Sequence, residues 1–306
     1  MQPFFSVIIP TFNRASLLPR AIDSVLKQTF ADWEVIIVDD GSKDNTKEVV
    51  EKYADQRIRY IYQTNAERSV ARNNGIDNAK GQYICFLDSD DYYLPNRLEL
   101  LHHELINRGM PVGIFYTGLL VDMGRAEMLK SVVAEQGKNI FEKIALSVIH
   151  SQQVCGHRSV FENNKYDKQF HIGEDMELWL RIAEHYPFVY LDDQYTIVAV
   201  DHEDRSVNVR KYNSYAHQLR LFRYIFTPPH PGSKISPEIK AGLVANAYFG
   251  VAKYFIYNNR RIAAIMNMVQ SIFADLRSNQ LKFKVNILLR LLTYTSMQKV
   301  QELIKF

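Results

Sequence analysis

Residues 83–95 read YICFLDSDDYYLP, an apolar run from Tyr83 to Leu87 followed by Asp88, Ser89, Asp90 and Asp91. A short run of aromatic, β-branched and aliphatic side chains with no polar alternation is the pattern of a strand buried on both faces. Three carboxylates in four positions at its end repel one another. Two unit charges about 4 Å apart cost roughly 4 kcal/mol at an effective dielectric near 20. Hard oxygen donors of this kind suit a magnesium or manganese ion that bridges to a diphosphate. A solvated cap on the helix near Pro95 is the other use for them.

The residues on the amino-terminal side repeat the pattern. Strand-type runs occupy Phe5–Pro10, Glu34–Val38 and Ile58–Gln63, and helix-type segments separate them. Leu17–Gln28 carries Leu17, Leu18, Ala21, Ile22, Val25 and Leu26 on one helical stripe; Asn45–Tyr53 and Val70–Lys80 are the next two helices. Strand alternating with helix predicts an α/β fold with a mostly parallel sheet flanked by helices, and ligands bind beyond the carboxyl ends of such strands. Three strands deliver polar tails to that edge: Thr11-Phe12-Asn13-Arg14, Asp39-Asp40-Gly41-Ser42 and Asp88-Ser89-Asp90-Asp91. Each tail alone is also a turn or a helix cap. A shared site explains all three together.

Other constellations have narrower readings. Residues 39–51 superficially resemble a calcium loop, but its central glycine is Asn45 and a strand precedes it. A carboxylate at a strand tip that accepts from ribose hydroxyls or a base fits α/β logic better. Arg68 and Arg72 stand at i,i+4 spacing on one helical face, and pair with phosphate, with Asp39 or Asp40, or with solvent. Glu174 and Asp175 open an amphipathic helix, where acids also simply complement the helix dipole. His202, beside Glu203, Asp204 and Arg205, is a metal ligand, a phosphate contact or a surface histidine. The DSDD run also admits an aspartate-nucleophile phosphatase loop, although Tyr92 stands where that loop needs threonine.

Composition sets the frame. The 306 residues, 47% of them apolar, suffice for one large domain and an extra lobe, and a net charge of +3 argues neither for nor against nucleic acid or membrane. Cys85 and Cys155 are expected to be reduced and unpaired, as in a cytosolic protein. MQPFFSVIIPTFNR reads as a first strand and not as a leader, and no run of about 18 apolar residues is present. The expected protein is soluble or peripheral.

Taken together, SVIIPTFNR, EVIIVDDGSKDNT, NAERSVARNNGIDNAKG, YICFLDSDD and GEDMELWLR, in this order, resemble glycosyltransferase family 2 over Phe5 to about Ser206. These are inverting nucleotide-sugar transferases with the A-type glycosyltransferase fold. The resemblance implies that Thr11, Asn13, Arg14, Asp39, Asp40, Arg72, Asp88 and Ser89 bind the nucleotide and donor sugar. It implies that Asp90, with Asp88, holds Mn2+ or Mg2+, that Asp175 is the base and that Glu174 supports the acceptor side. His202 and Ser206 resemble a segment that closes over the diphosphate.

The implied partners are a nucleotide-sugar donor, read from the resemblance as uridine-linked, and a glycan or lipid-linked acceptor in bacterial surface polysaccharide assembly, with no nucleic acid. Two departures stand out: Ala66 replaces the glycine frequent after the asparagine, and NKYDKQFHIGED lacks the Gly-Gly-Phe-Asp pattern. The Gln-x-x-Arg-Trp motif and spanning helices of processive synthases are missing too, which implies transfer of one sugar. A non-catalytic nucleotide-sugar-binding scaffold is the remaining alternative.

The expected domains are a catalytic 1–206 and a helical 207–306. Residues 124–163 carry no legible pattern. Beyond the Pro-rich joint TPPHPGSKISP, two further helical stretches are expected. The last, from Gln280 to Phe306, mixes aliphatics with Lys282, Lys284, Arg290, Lys299 and Lys305. Such a segment packs on the catalytic domain or a second subunit as a homo-oligomer, or rests on the inner face of the cell membrane.

Overall fold

The computed structural model describes residues 2–122, 128–130, 137–147, 149–200, 213–293 and 296–304. In chain order they form β1 (Phe5–Thr11), α1 (Leu18–Leu26), β2 (Trp33–Asp39), α2 (Thr46–Val50), β3 (Ile58–Tyr62), α3 (Arg68–Asn78), β4 (Tyr83–Phe86), β5 (Tyr92–Tyr93) and α4 (Arg97–Asn107). Then follow β6 (Ile114–Asp122), β7 (Leu129–Lys130), α5 (Ile140–Ser147), β8 (Val154–His157), α6 (Arg158–Glu162), α7 (Glu174–Ile182) and β9 (Phe188–Val200). The remainder is helical: α8 (Ser214–Ile225), α9 (Pro237–Tyr257), α10 (Arg261–Ala274), α11 (Leu281–Leu292) and α12 (Met297–Leu303). Contacts divide the chain into two compact units, Met1–His202 and Glu203–Phe306.

The first unit is built on one sheet of order β3-β2-β1-β4-β8-β6-β9-β5, with β7 paired to β6. The four amino-terminal strands are mutually parallel. The apolar runs of β1, β2 and β4 are buried because helices such as α1 and α3 cover a parallel sheet on both faces: Val7, Ile8, Ile9, Val35, Ile36 and Ile37 are fully buried, whereas β3 at the edge is only partly covered. Beyond β4 the sheet is mixed. β8 enters antiparallel between β4 and β6, and β9 returns parallel to β6. Cys85 and Cys155 face each other across the β4–β8 pair as free buried thiols.

Two glycines set the geometry near the site. A Cβ on Gly75 would stand 2.3 Å from Ile8 Cγ2, so only glycine lets α3 lie this close to β1. Arg72, one turn earlier on α3, is thereby carried to the strand ends. Gly41 has φ +84°, and a Cβ there would stand 2.7 Å from the Asn65 backbone nitrogen, which brings the loop before α3 against the end of β2.

Three expectations change. The unreadable 124–163 contains β7, α5, β8 and α6 among its described residues. Residues 189–191 and 196–200, which read in the sequence as two strand-like runs, belong to one strand, β9: Leu191 pairs with Thr117 and Tyr195 with Gly118, leaving 192–194 as a bulge. Beyond the joint there are four described helices, α9 to α12, and not two. The second unit has its own core of Ala252, Ile256, Ala264, Met268, Ile287, Leu291, Val300 and Ile304. Lys284 belongs to that interior and not to a basic surface: it is fully buried, with Nζ 5.5 Å from the Phe249 ring centroid. Among the described residues no helix is long and apolar enough to cross a membrane.

Candidate active site

The parallel register places Thr11 beside Asp39 at the ends of β1 and β2. The Leu87 amide donates to the Ile8 carbonyl at 3.0 Å, so the chain leaving β4 emerges at the same edge. Thr11 is buried and its hydroxyl makes no hydrogen bond among the described residues. Asp39 accepts from the Ser42 amide at 2.8 Å and from the Tyr60 hydroxyl at 2.6 Å. Burial and then the Asp39 carboxylate push the Tyr60 phenol up, which keeps it a donor. Asp40 turns into the loop before α3, accepting from Gln63 Nε2 at 2.7 Å and the Ala66 amide at 2.9 Å.

Asn13 clasps β1 to the loop after β2. Its amide donates to Ser42 Oγ and its Oδ1 accepts from the Lys43 amide, each at 2.8 Å. Its φ of 51° is a left-handed conformation that asparagine tolerates better than most residues. Arg14 extends toward the tail of β4, with Nη2 3.9 Å from Asp90 Oδ2. Ser89 is buried between Asp88 and Asp90.

The three acidic residues of the β4 tail have different partners. Asp88, 34% exposed at its side chain, accepts from Arg72 Nη2 at 3.0 Å. Burial alone would raise its pKa, but Arg72, with Arg68 and His150, holds the carboxyl below the usual range. Asp90 lies by Arg14, and its carbonyl accepts from Arg20. Asp91 is buried, with its amide donating to the Asp88 carbonyl at 3.1 Å.

Arg72 is the centre of the site. Its side chain is only 4% exposed, and besides Asp88 it reaches Glu174 Oε1 at 3.1 Å and Asp175 Oδ1 at 3.6 Å. Its guanidinium carbon lies 5.4 Å from the Tyr166 ring centroid. Burial works against the charge, but Asp88 and Asp175 hold it firmly cationic. Arg68, one turn earlier, places Nε 3.2 Å from Glu174 Oε1 and donates to the His171 carbonyl at 2.6 Å. Both arginines therefore pair with acids of β4 and α7, not with Asp39 or Asp40 as the spacing allowed.

Asp175 is held from the other side. The Ser151 amide donates to Oδ2 at 3.2 Å and Ser151 Oγ donates to Oδ1. Ser151 has one hydroxyl proton, so the Tyr166 hydroxyl at 2.7 Å must be the donor to Ser151. Burial, then Asp175, holds the Tyr166 phenol well above its ordinary value, consistent with that role. Tyr166 is fixed by reciprocal bonds with Asn73 of α3, at 2.8 and 2.9 Å. Sequence alone singled out neither Ser151 nor Tyr166. His202 and Ser206 lie outside the described residues.

Glu174 and Asp88 titrate in opposite senses. Burial and then Asp175 raise the Glu174 carboxyl, against the pull of Arg68 and Arg72. A raised acid binds more protons folded than unfolded, so its contribution falls as pH rises from about 4.3 through the folded value. Asp88, depressed, stabilises above about 3.9 and loses that contribution as pH falls through its lower folded value. The stability of wild type minus that of Glu174→Gln should therefore decline from pH 4 upward in urea titrations. A difference that grows with pH would contradict the assignment.

The family model for Glycosyl transferase family 2 matches residues 6–164. The chain is 31% identical over 221 residues to a Campylobacter jejuni protein named GalNAc(5)-diNAcBac-PP-undecaprenol beta-1,3-glucosyltransferase, covering 70% of each. It spans 38% and 30% of the lengths of two further bacterial relatives. Among solved structures, Staphylococcus aureus TarS 1–349 in complex with UDP-GlcNAc aligns over 98% of this chain and 90% of its own, with TM-score 0.62 and 19% identity. The mannosyltransferase PcManGT of Pyrobaculum calidifontis, in complex with GDP-Man and Mn2+, aligns over 99% of this chain and 84% of its own, with TM-score 0.57 and 18% identity. Both have the same fold, the A-type glycosyltransferase architecture. With the strand-end carboxylates in place and the family model matched across them, this chain belongs to glycosyltransferase family 2.

Proposed function

We propose that the protein transfers a single sugar, with inversion, from a nucleotide-sugar donor onto a hydroxyl of a glycan or lipid-linked acceptor in bacterial surface polysaccharide assembly. A uridine diphosphate sugar is the proposed donor. The observation that carries the reading is Arg72, a buried cation that ties Asp88 at the β4 end to Glu174 and Asp175 on α7. A donor-side carboxylate and a candidate base are thereby held by one rigid group.

Thr11 and Asp39 would receive the base and Asp88 the ribose or donor sugar, with Asn13, Arg14, Asp40 and Ser89 shaping the loops around them. The unpartnered Thr11 hydroxyl is a buried polar group that a ligand would satisfy. Asp175 takes the proton of the acceptor hydroxyl as that oxygen bonds to the anomeric carbon. The bond from that carbon to the diphosphate oxygen breaks on the opposite face, and its electron pair leaves with the nucleoside diphosphate. Ser151 orients Asp175 for this, Glu174 lies toward the acceptor, and Arg72 supplies a fixed positive charge beside the reacting centre.

Among the described residues no three acidic, His or Cys side chains enclose an ion unaided. Asp88 and Asp90 nevertheless fit Mg2+ or Mn2+, because two hard carboxylates with accessible oxygens need only diphosphate and water to complete the shell. When bound, the ion neutralises charge on the leaving diphosphate.

The test is release of nucleoside diphosphate from UDP-sugars, screened against glycan and polyprenyl-diphosphate acceptors, with the product anomer read by NMR. The expected product has the configuration opposite to the donor. A retained configuration, or phosphate trapped covalently on Asp88 without nucleotide, contradicts the reading.

A further inference from the structure

The helical unit has an unusual surface. Ile262, Met266 and Phe273 of α10 are 76%, 64% and 73% exposed. At about 100° per residue they fall within roughly 40° of one another, while the buried Ala264, Met268 and Ser271 lie on the opposite side. α10 is therefore apolar on both its core face and its outer face. The next helix, α11, which packs on α10, does the same. Val285, Leu289 and Leu292 are exposed at i, i+4 and i+7; Lys282 adjoins this stripe, and the half-buried Arg290 stands about 100° beyond Leu289 on the same side.

Charge is distributed just as unevenly. Beyond residue 206 the chain has 15 Lys and Arg against 3 Asp and Glu, a net +12, whereas residues 1–206 carry −9. The near-neutral total hides a strongly basic unit. A helix pair that exposes large apolar side chains beside cationic ones has the composition of an element lying in a membrane interface.

We infer that the α10–α11 hairpin is a docking face for a bilayer of anionic phospholipid, with the apolar stripes in the acyl boundary and Lys282 and Arg290 at headgroup phosphates. A second copy of the chain is the poorer occupant, because an isologous contact would set two segments of +12 against each other. A nucleic acid would use the cations but leave the apolar stripes wet. The inference goes beyond sugar transfer and stands on this unit alone. Its consequence for transfer is that an acceptor carried on a membrane lipid would lie in the same plane as the enzyme.

Flotation of the full chain with phosphatidylglycerol-containing vesicles, against phosphatidylcholine vesicles, tests it. At about 0.1 M salt, where the Debye length is ~10 Å, the anionic vesicles should retain at least about tenfold more protein, and high salt should release much of it. Ile262→Glu with Leu289→Glu, and separately Lys282→Glu with Arg290→Glu, should each cut retention about tenfold with an unchanged melting midpoint, since all four side chains are solvent-facing or half-buried.

Retention equal on both vesicles, no retention, or retention indifferent to both variant pairs overturns the inference. So does self-association in vesicle-free sedimentation that the apolar pair abolishes, or duplex DNA binding that the apolar pair leaves intact. Nucleotide-induced stabilisation recorded on the same samples reports the donor site separately, so failure of one reading is distinguishable from failure of the other.

Discussion

Asp175→Asn should lower sugar transfer by about 10²- to 10⁴-fold, the range that a positioned general base supplies, while leaving nucleotide affinity within about twofold. The carboxamide keeps an acceptor for the Ser151 amide and its NH2, at the Oδ1 position, donates to Ser151 Oγ instead of accepting from it, but it also faces Arg72 Nη1, so a melting midpoint is measured beside the kinetics. What it loses is the ability to take a proton. Because the loss is confined to the chemical step, kcat should fall with KM for the donor nearly unchanged. A fall in donor affinity equal to the fall in kcat would mean that Asp175 acts in binding, and the base would have to be sought elsewhere.

The largest stability effect is expected at Arg72. Arg72→Met keeps bulk in the buried space but leaves Asp88, Glu174 and Asp175 facing one another without their shared cation. Breaking a buried ion pair from one side costs about 3–5 kcal/mol, since the partner charges stay behind uncompensated. Urea denaturation at neutral pH should show a loss of that order. Adding Glu174→Gln to Arg72→Met should recover part of it, because the second change removes one of the stranded charges. Strict additivity of the two substitutions would show that the pair does not act as a unit.

Much of the first unit is legible because its determinants are local. The apolar runs of β1, β2 and β4 need no tertiary information to be read as buried parallel strands, and their polar tails meet because parallel strands put their carboxyl ends together. The partners of those tails are a different matter. Arg72 reaches Glu174 across 102 residues, and Ser151 reaches Asp175 across 24, from a segment with no periodicity. Nothing in the spacing of Arg68 and Arg72 distinguishes phosphate from carboxylate as their partner; only the approach of α7 decides it.

The same limit operates in β9, where the polar Asp192-Asp193-Gln194 interrupts the apolar alternation and reads as a break, although the backbone continues through a bulge. It operates again at Lys284. A lysine every few residues reads as a basic face, yet rotation about the α11 axis puts Lys284 beneath Phe249 and Lys282 in solvent.

The central claim is that the ends of β1, β2 and β4 bind a nucleoside diphosphate through an ion held at Asp88 and Asp90. The measurement that tests it most directly is the melting midpoint with UDP, GDP, dTDP or CMP, each with manganese or chelator, on wild type and Asp90→Asn. A ligand near one hundred times its dissociation constant adds about 2.7 kcal/mol of stability, a clear shift in midpoint. The account predicts stabilisation by UDP with manganese, little with chelator, and its loss in Asp90→Asn. Folded wild-type protein that no nucleotide stabilises, with or without metal, would contradict it.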